Sequence, residues 1–194
     1  MSTPFYRAVA LIGALLLVGC SHTARKSDDA RPQAWLQPGT RVTLPPPGLT
    51  PPLSSQQLLT ASVNGKTQSL LVMLNADAQK VTLAGLSSVG IRLFLATYNE
   101  TGIHTEQSIV APEIPPASQV LADVMLSHWP ISAWLPQLPT GWTLKDNGDR
   151  RELRNADGKL VTEIVYLQRK GKRVPISIEQ RVFHYHITLQ YLDD

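Results

Sequence analysis

The sequence of 194 residues has a single cysteine, few aromatic residues and little net charge. One cysteine cannot form a disulfide within the chain, so the fold must be held by burial of apolar side chains. The formal net charge of +3 is small and the charges are scattered, which gives no indication of nucleic acid as a partner. Long apolar runs are missing after residue 20, so the sequence offers no second membrane-spanning segment.

The one long apolar run lies near the N-terminus, over residues 8–18. It is about eleven residues long, whereas a permanent transmembrane helix needs about 20. Arg7 precedes the run and the small residue Gly19 follows it, which is the anatomy of a signal peptide. We therefore predict a signal peptide over residues 1–19.

The single cysteine lies where this signal peptide would end. The sequence Leu17-Val18-Gly19-Cys20 resembles the lipobox of bacterial lipoproteins, which implies cleavage before Cys20 and attachment of lipid, palmitate included, at that residue. Ser21 follows in place of Asp, and by resemblance to enterobacterial lipoproteins this implies anchoring in the outer membrane, with the domain facing the periplasm. The signal peptide of a soluble secreted protein and an N-terminal anchor helix are the alternatives.

Residues 20–53 are rich in proline, since seven of the chain's 15 prolines lie between Pro32 and Pro52. Proline cannot donate a hydrogen bond to a β-ladder, and it biases the preceding residue toward extended geometry. We predict a lipidated, semi-rigid tether here. The alternative is that part of this segment packs over the domain through its apolar residues Trp35, Leu36, Val42 and Leu44.

From residue 56 onwards, apolar residues recur with a period of two, which is typical of β-strands. Asn64-Gly65 separates two such runs and predicts a tight hairpin turn, because both positions of that turn need a positive φ. The clearest predicted strand covers residues 174–192, where apolar and polar residues alternate from Phe183 to Tyr191.

This pattern is interrupted at about residues 118–138, where helical spacing appears. Val120, Leu121, Val124 and Met125 predict a short helix, and a second short helix follows Trp129-Pro130. Many antiparallel strands with one helical insertion predict a mainly β domain over residues 54–194. The helices would naturally cover the open side of a curved sheet.

The order of these elements and several segments resemble the LolA and LolB family of outer-membrane lipoprotein carriers. The segments are VTLAGLSSVGIRL at 81–93, WPISAWLPQLP at 129–139, IVY at 164–166 and the KGK turn at 170–172. The resemblance implies an unclosed antiparallel β-barrel, or half-barrel, with a short helical lid over an apolar cavity. A nearer resemblance is to a poorly characterised family of bacterial lipoproteins of LolB-like fold, often encoded with aryl-polyene or fatty-acid-like biosynthesis genes.

The resemblance also implies a function. An acylated or polyene lipid would bind in the cavity and be delivered to the outer membrane, with a periplasmic LolA-like carrier as a partner. Val89 aligns with the apolar loop residue of LolB that touches the membrane, so a membrane contact is implied there. The candidate residues lining the cavity are Leu83, Leu93, Leu95, Val124, Trp134 and Leu135.

The residues alone leave an alternative open, because composition cannot separate a vacant cavity from a filled core. With a filled core, the protein would be a non-enzymatic structural adaptor that docks envelope or biosynthetic proteins. The sequence has no Gly-x-Ser-x-Gly, phosphate-loop or zinc-helix motif, and we predict neither an enzyme nor a cofactor.

Two further features of the sequence are candidate binding sites. His184 and His186 have the spacing that places two imidazoles on one strand face, but no Cys or acidic cluster completes a metal site in sequence. A polar pair without metal is the favoured interpretation. The cationic turn at 169–173 could meet anionic lipid head groups, although a solvated hairpin tip is favoured.

Overall fold

The computed structural model describes residues 31–107 and 115–192. These residues form twelve strands and two helices. The strands are β1 (Gln33–Gln37), β2 (Thr40–Thr43), β3 (Leu53–Val63), β4 (Lys66–Ala76), β5 (Val81–Leu86), β6 (Arg92–Asn99), β7 (Gly102–Gln107), β8 (Thr143–Asp146), β9 (Arg150–Arg154), β10 (Leu160–Arg169), β11 (Lys172–Gln180) and β12 (Tyr185–Tyr191). The helices are α1 (Ala117–His128) and α2 (Ile131–Trp134), at the position of the predicted helical insertion.

Ten of the strands form one antiparallel sheet in the order β7-β6-β5-β4-β3-β12-β11-β10-β9-β8. The first and last strands of this sheet along the chain, β3 and β12, pair at its centre, where Leu59 lies opposite Leu189. β7 and β8 form the two edges, so the sheet does not close into a barrel. The predicted fold, a mainly β half-barrel with a short helical lid, is confirmed.

The two helices lie in the chain between β7 and β8, the strands at opposite edges of the sheet. The chain must therefore cross one face of the sheet between these strands. α1 buries Leu121, Met125 and Leu126 in the core as it does so. Neither helix of the described segments is long and apolar enough to cross a membrane.

β1 and β2 form a separate antiparallel ribbon that packs against α1. Leu36, Val42 and Leu44 of this segment are buried, while Trp35 is exposed at the surface. For residues 31–53 the alternative to a tether is therefore correct, because Leu36, Val42 and Leu44 pack in the core and Leu53 begins β3. The remainder of the predicted tether, the predicted signal peptide and the predicted lipid attachment site Cys20 lie outside the described residues.

The proline-rich segment after the ribbon is fixed by hydrogen bonds to two aromatic side chains of the domain. Tyr98 donates its hydroxyl hydrogen to the carbonyl oxygen of Pro45 at 3.0 Å. Trp129 donates from Nε1 to the carbonyl oxygen of Pro46 at 3.2 Å. These bonds satisfy two backbone carbonyls in a segment whose prolines have no N–H with which to form a ladder.

A turn divides the predicted strand over residues 174–192 into β11 and β12. His184 lies in this turn with φ 55°, in the left-handed region, and so falls outside the strand. His184 and His186 therefore do not share a strand face, and His186 Nδ1 instead lies 2.7 Å from Glu179 Oε2. Within residues 31–107 and 115–192, no group of three His, Cys, Asp or Glu side chains could hold a metal ion.

Arg151 on β9 fixes the C-terminal end of α1. Its guanidinium donates to the carbonyl oxygens of Leu126 at 2.6 Å and Trp129 at 2.8 Å. The last carbonyls of a helix have no partner within the helix, so these bonds satisfy groups that would otherwise be buried unpaired. Asp146 holds the guanidinium by an ion pair of 2.9 Å.

Replacing Arg151 with Met should destabilise the fold, because two helix-terminal carbonyls and Asp146 lose their partner. We expect a loss of about 2–4 kcal/mol in the free energy of unfolding, measured by urea denaturation. Arg154→Met, on the same strand, is the matched control, since Arg154 pairs with Glu152 at a partly exposed site. The control should lose no more than about 1 kcal/mol. Equal losses in the two variants would show that Arg151 does not anchor the lid.

Candidate functional site

A cavity of about 600 Å³ lies between α1 and the central strands of the sheet. Small-molecule pockets in proteins span about 300–1,000 Å³, so this space is large enough for a ligand. Apolar residues predominate in its lining, which consists of Gln57, Leu59, Ala61, Val63, Asn64, Lys66, Gln68, Leu70, Val72, Leu74, Leu83, Phe94, Pro115, Val120, Asp123, Val124, Ser127, His128, Ile178, Tyr185, Ile187 and Leu189.

The central strands β3, β4 and β12 present alternate side chains to the cavity, since successive residues of a strand point to opposite faces. Cross-strand neighbours on the inner face therefore form apolar rows. Leu189, Leu59 and Leu70 make one row, and Ile187 and Ala61 lie in the next. These rows give the cavity an apolar floor.

Phe94 on β6 closes the cavity on the side away from β12. It lies opposite Gly85 on β5, and its ring approaches the backbone there. A Cβ at position 85 would collide with the ring carbons, so only glycine permits this close approach. The absence of a side chain on β5 thus sets the position of one wall.

Polar side chains gather at the end of the cavity next to the β3–β4 turn. Asn64, Lys66 and Gln68 line the cavity there. Leu74 and Leu83, which pair across β4 and β5, line it toward the other end of those strands. The sheet side of the cavity is therefore most polar at the β3–β4 end and mainly apolar beyond it, with Gln57 as a polar residue at the far end and Ser127 and His128 on α1.

Asp123 places a buried carboxylate in the cavity wall. Its Oδ2 accepts a hydrogen bond of 2.7 Å from the hydroxyl of Tyr185. Burial raises the pKa of Asp123 to about 7, and the hydrogen bond from Tyr185 opposes that rise only in part. Burial, followed by the charge of Asp123, raises the pKa of Tyr185 well above its ordinary value. Burial also lowers the pKa of His128 to about 4, with a further contribution from Arg151, so this cavity-lining imidazole is neutral at neutral pH.

Some of the predicted lining residues line the cavity and others do not. Leu83 and Val124 line the cavity. The assignment of Leu93 and Leu95 was wrong, because they lie on the opposite face of β6 from Phe94. Both faces of this strand carry apolar residues, so the alternation alone did not show which face turns inward.

The two candidates in the second helical segment were also wrong. Trp134 is fully buried in the core, where its Nε1 donates to the carbonyl oxygen of Met125 at 3.2 Å. Leu135 is 55% exposed to solvent. The physical reason is that α2 packs beside β8 at the edge of the sheet, away from the central strands that form the cavity.

Val89 lies in the turn between β5 and β6 and is 78% exposed, with Ile91 close by at 56%. Ser87 ties this turn together, because its carbonyl oxygen and its hydroxyl accept hydrogen bonds from Gly90 N and Ile91 N. Neither apolar side chain is buried in the domain. Because β5 runs antiparallel to β4, this turn lies at the same end of the sheet as the β3–β4 turn and the polar end of the cavity.

The cationic turn at 169–173 lies at the other end of the sheet, since β11 reaches the β3–β4 end only at Gln180. Arg173, at the end of this turn, makes contacts within the fold. Its guanidinium lies 3.4 Å from the ring centroid of Tyr166 and pairs with Asp146 at 2.7 Å. A membrane contact through this turn would therefore be separate from the polar end of the cavity.

Comparison with known proteins gives a family and one structural likeness. The profile of a family described as protein of unknown function, DUF3261, matches residues 54–193. A search of curated proteins gave no match. Among solved structures, the chain is similar to a crystal structure of a domain assigned as an outer membrane lipoprotein-sorting protein from Vibrio parahaemolyticus. The two are 12% identical with a TM-score of 0.43, over 73% of this chain and 83% of that chain. A likeness this distant carries no argument about function.

Replacing Asp123 with Asn should raise the free energy of unfolding, and more so at high pH. The folded-state pKa of about 7 lies above the ordinary value of 3.8. The carboxyl's contribution to stability is therefore present below about pH 4 and is lost as the pH rises to about 7. We expect the gain from Asp123→Asn to be about 2 kcal/mol larger at about pH 8 than at about pH 5, measured by urea unfolding.

The matched control is Asp157→Asn, since Asp157 is an exposed carboxylate in the turn after β9. Its effect on stability should be small, as is usual for a substitution at an exposed position. A gain from Asp123→Asn that did not change with pH would show that this carboxyl is not buried as described.

Proposed function

The chain belongs to the DUF3261 family of proteins of unknown function, and we propose that its domain is a lipid-binding carrier of the outer membrane. In this proposal the cavity holds the acyl or polyene chain of a lipid, and the protein aids delivery of that lipid to the outer membrane. The observation that carries the proposal is the cavity of about 600 Å³ beneath α1, with its apolar floor from β3, β4 and β12.

The apolar floor supplies the binding free energy. Moving an alkyl chain from water into such a space is favourable by about 0.8 kcal/mol per methylene. A chain of about ten methylenes would gain about 8 kcal/mol, which is comparable to the cost of about 4–15 kcal/mol for ordering two molecules into one complex. Long chains should therefore bind and short ones should not. Binding and release are non-covalent in this proposal, so it assigns no catalytic residue and no cofactor.

The alternative function, a structural adaptor that docks envelope or biosynthetic proteins, does not need a vacant interior. Protein interiors are normally packed so closely that few voids exceed the size of a water molecule. The adaptor is thus expected to have a filled core, whereas a carrier needs the space. The vacant volume under α1 favours the carrier.

The proposal also assigns how the domain meets the membrane. A lipid on Cys20 would keep the domain close to the bilayer, because the chain from Cys20 to Arg31 can span at most about 40 Å when fully extended. The exposed Val89 and Ile91 would enter the membrane surface, at the same end of the sheet as the polar part of the cavity. A periplasmic carrier of the LolA kind is the proposed donor of the lipid.

Filling the cavity should abolish lipid binding without unfolding the domain. Ala61 lies on the floor between Ile187 and Gln68, and Ala61→Phe would place a ring in the vacant space. We expect at least about a tenfold loss of affinity for dodecanol, an uncharged long-chain probe, which is a change of about 1.4 kcal/mol. The lipid recovered from the purified protein by mass spectrometry should decrease in parallel.

Thr60→Phe is the matched control, because Thr60 is the preceding residue on β3 and its side chain points to the opposite face. This variant should bind lipid as the unaltered protein does. Recovery of the same lipid from Ala61→Phe, or of none from the unaltered protein together with no probe binding, would contradict the carrier function.

A charge in the β5–β6 turn should weaken membrane contact. We expect Val89→Glu to reduce flotation of the mature chain with lipid vesicles several-fold, because a carboxylate replaces an apolar side chain that is 78% exposed. The measurement uses Cys20→Ser protein, so that the lipid anchor does not mask the contact. Ser88→Glu adds the same charge one residue earlier and should have the smaller effect. Identical flotation of all three proteins would remove Val89 from the membrane contact.

A further inference from the structure

Asp123 is an ionisable side chain at a buried position, where a charge does not stabilise the fold. It lies on α1, is only 8% exposed, and lines the apolar cavity. Its Oδ2 is bonded to Tyr185, but Oδ1 has no hydrogen-bond donor in the parts of the chain that the structure describes. No cation of these parts pairs with the carboxylate either. An ionised carboxylate in such a setting costs several kcal/mol unless it finds a partner.

The hydrogen bond from Tyr185 does not explain why position 123 carries a charge. Tyr185 donates its hydroxyl hydrogen to Oδ2 at 2.7 Å. A neutral Asn side chain could accept the same bond through its amide oxygen. The bond therefore does not require a carboxylate.

Other polar groups near Asp123 do not take the place of a cation. Ser127 directs its hydroxyl to the backbone oxygen of Asp123 at 2.7 Å, and so away from the carboxylate. His128, farther along α1, is neutral at neutral pH because burial lowers its pKa to about 4. Lys66 faces the same cavity from β4, at the mouth beside the β3–β4 turn. Within the described segments, its charge makes no contribution to the pKa of Asp123.

The position of Asp123 along the cavity matters as much as its burial. Its partner Tyr185 lies opposite Val63, the last residue of β3. Asp123 is therefore at the polar end of the cavity, with the row of Leu189, Leu59 and Leu70 farther inside. A ligand with its chain along that row would bring its head to the carboxylate.

We propose that the Asp123 carboxylate binds the head of the cavity's ligand, and that the preferred ligand is an amphiphile with a cationic, hydrogen-bond-donating head such as a primary ammonium. The ammonium donates to Oδ1 while Tyr185 keeps its bond to Oδ2. A free fatty acid would instead bring a second carboxylate against Asp123, and like charges at this distance repel strongly in a buried site. The inference rests on the proposed function, since it names the class of molecule that the same cavity takes.

Binding of the ammonium should depend on pH through Asp123. The carboxyl must be ionised to form the ion pair, and burial places its pKa at about 7 in the free protein. Below that pH the affinity should fall about tenfold per unit. His128 and Tyr185 do not titrate between about pH 5 and pH 8, because the pKa of His128 is about 4 and that of Tyr185 is well above its ordinary value.

The test compares three probes with the same chain: dodecylamine, dodecanol and dodecanoic acid. Each displaces an apolar fluorescent dye from the mature chain carrying Cys20→Ser, made without a signal peptide so that no detergent competes. At about pH 8 we expect dodecylamine to bind at least about tenfold more tightly than dodecanoic acid. Asp123→Asn should weaken the amine about 10–100-fold and leave dodecanol within about threefold. Asp157→Asn is the matched control and should behave as the unaltered protein does.

The outcomes separate this inference from the function on which it rests. If dodecanol binds but the amine is not preferred, or if Asp123→Asn keeps the preference, the head-group assignment is overturned and the carrier function stands. If none of the three probes displaces the dye from the unaltered protein, both fail. Thermal unfolding of each variant is measured alongside, so that a loss of affinity is attributed to Asp123 only in a folded protein.

Discussion

A ten-stranded open sheet is far wider than the single helix that covers it. Strands about 4.8 Å apart make a sheet about 43 Å across, whereas an α-helix with its side chains is about 10–12 Å in diameter. The ribbon of β1 and β2 fills part of the difference with Leu36, Val42 and Leu44. The part left unfilled, over β3, β4 and β12, is the cavity. The candidate site thus follows from the mismatch in width between the sheet and its cover.

The lid is held unequally at its two ends. At the C-terminal end, the buried Arg151 binds two backbone carbonyls of the lid, and the hydroxyl of Tyr166 binds a third, that of Ser127, at 2.8 Å. Toward the N-terminal end, α1 has no side-chain cap, Gln119 makes one hydrogen bond to the ribbon, and Asp123 accepts one from Tyr185. Among the described residues, opening at the N-terminal end therefore breaks two of these bonds rather than three. That end lies beside the polar part of the cavity, so ligand entry there needs the smaller disturbance.

Local patterns predicted much of this fold, because strand periodicity and the Asn64-Gly65 turn are properties of short segments. Which face of a strand turns inward is not local, and the choice of Leu93 over Phe94 on β6 failed for that reason. The proline-rich segment was assigned to a tether since the sequence cannot show that distant Trp129 and Tyr98 would bind its carbonyls. The sequence analysis missed Asp123, although it is a single acidic residue among the apolar residues of the predicted helix.

Two features that stability alone does not require occur at the same place: a vacant interior and a buried carboxylate. Each lowers the stability of the empty domain, the first through lost packing and the second through desolvation of a charge. One occupant would remove both penalties, because its chain fills the space and its head pairs with Asp123. A ligand that binds only the folded state also raises stability by mass action. The domain with bound ligand is therefore expected to have the higher free energy of unfolding.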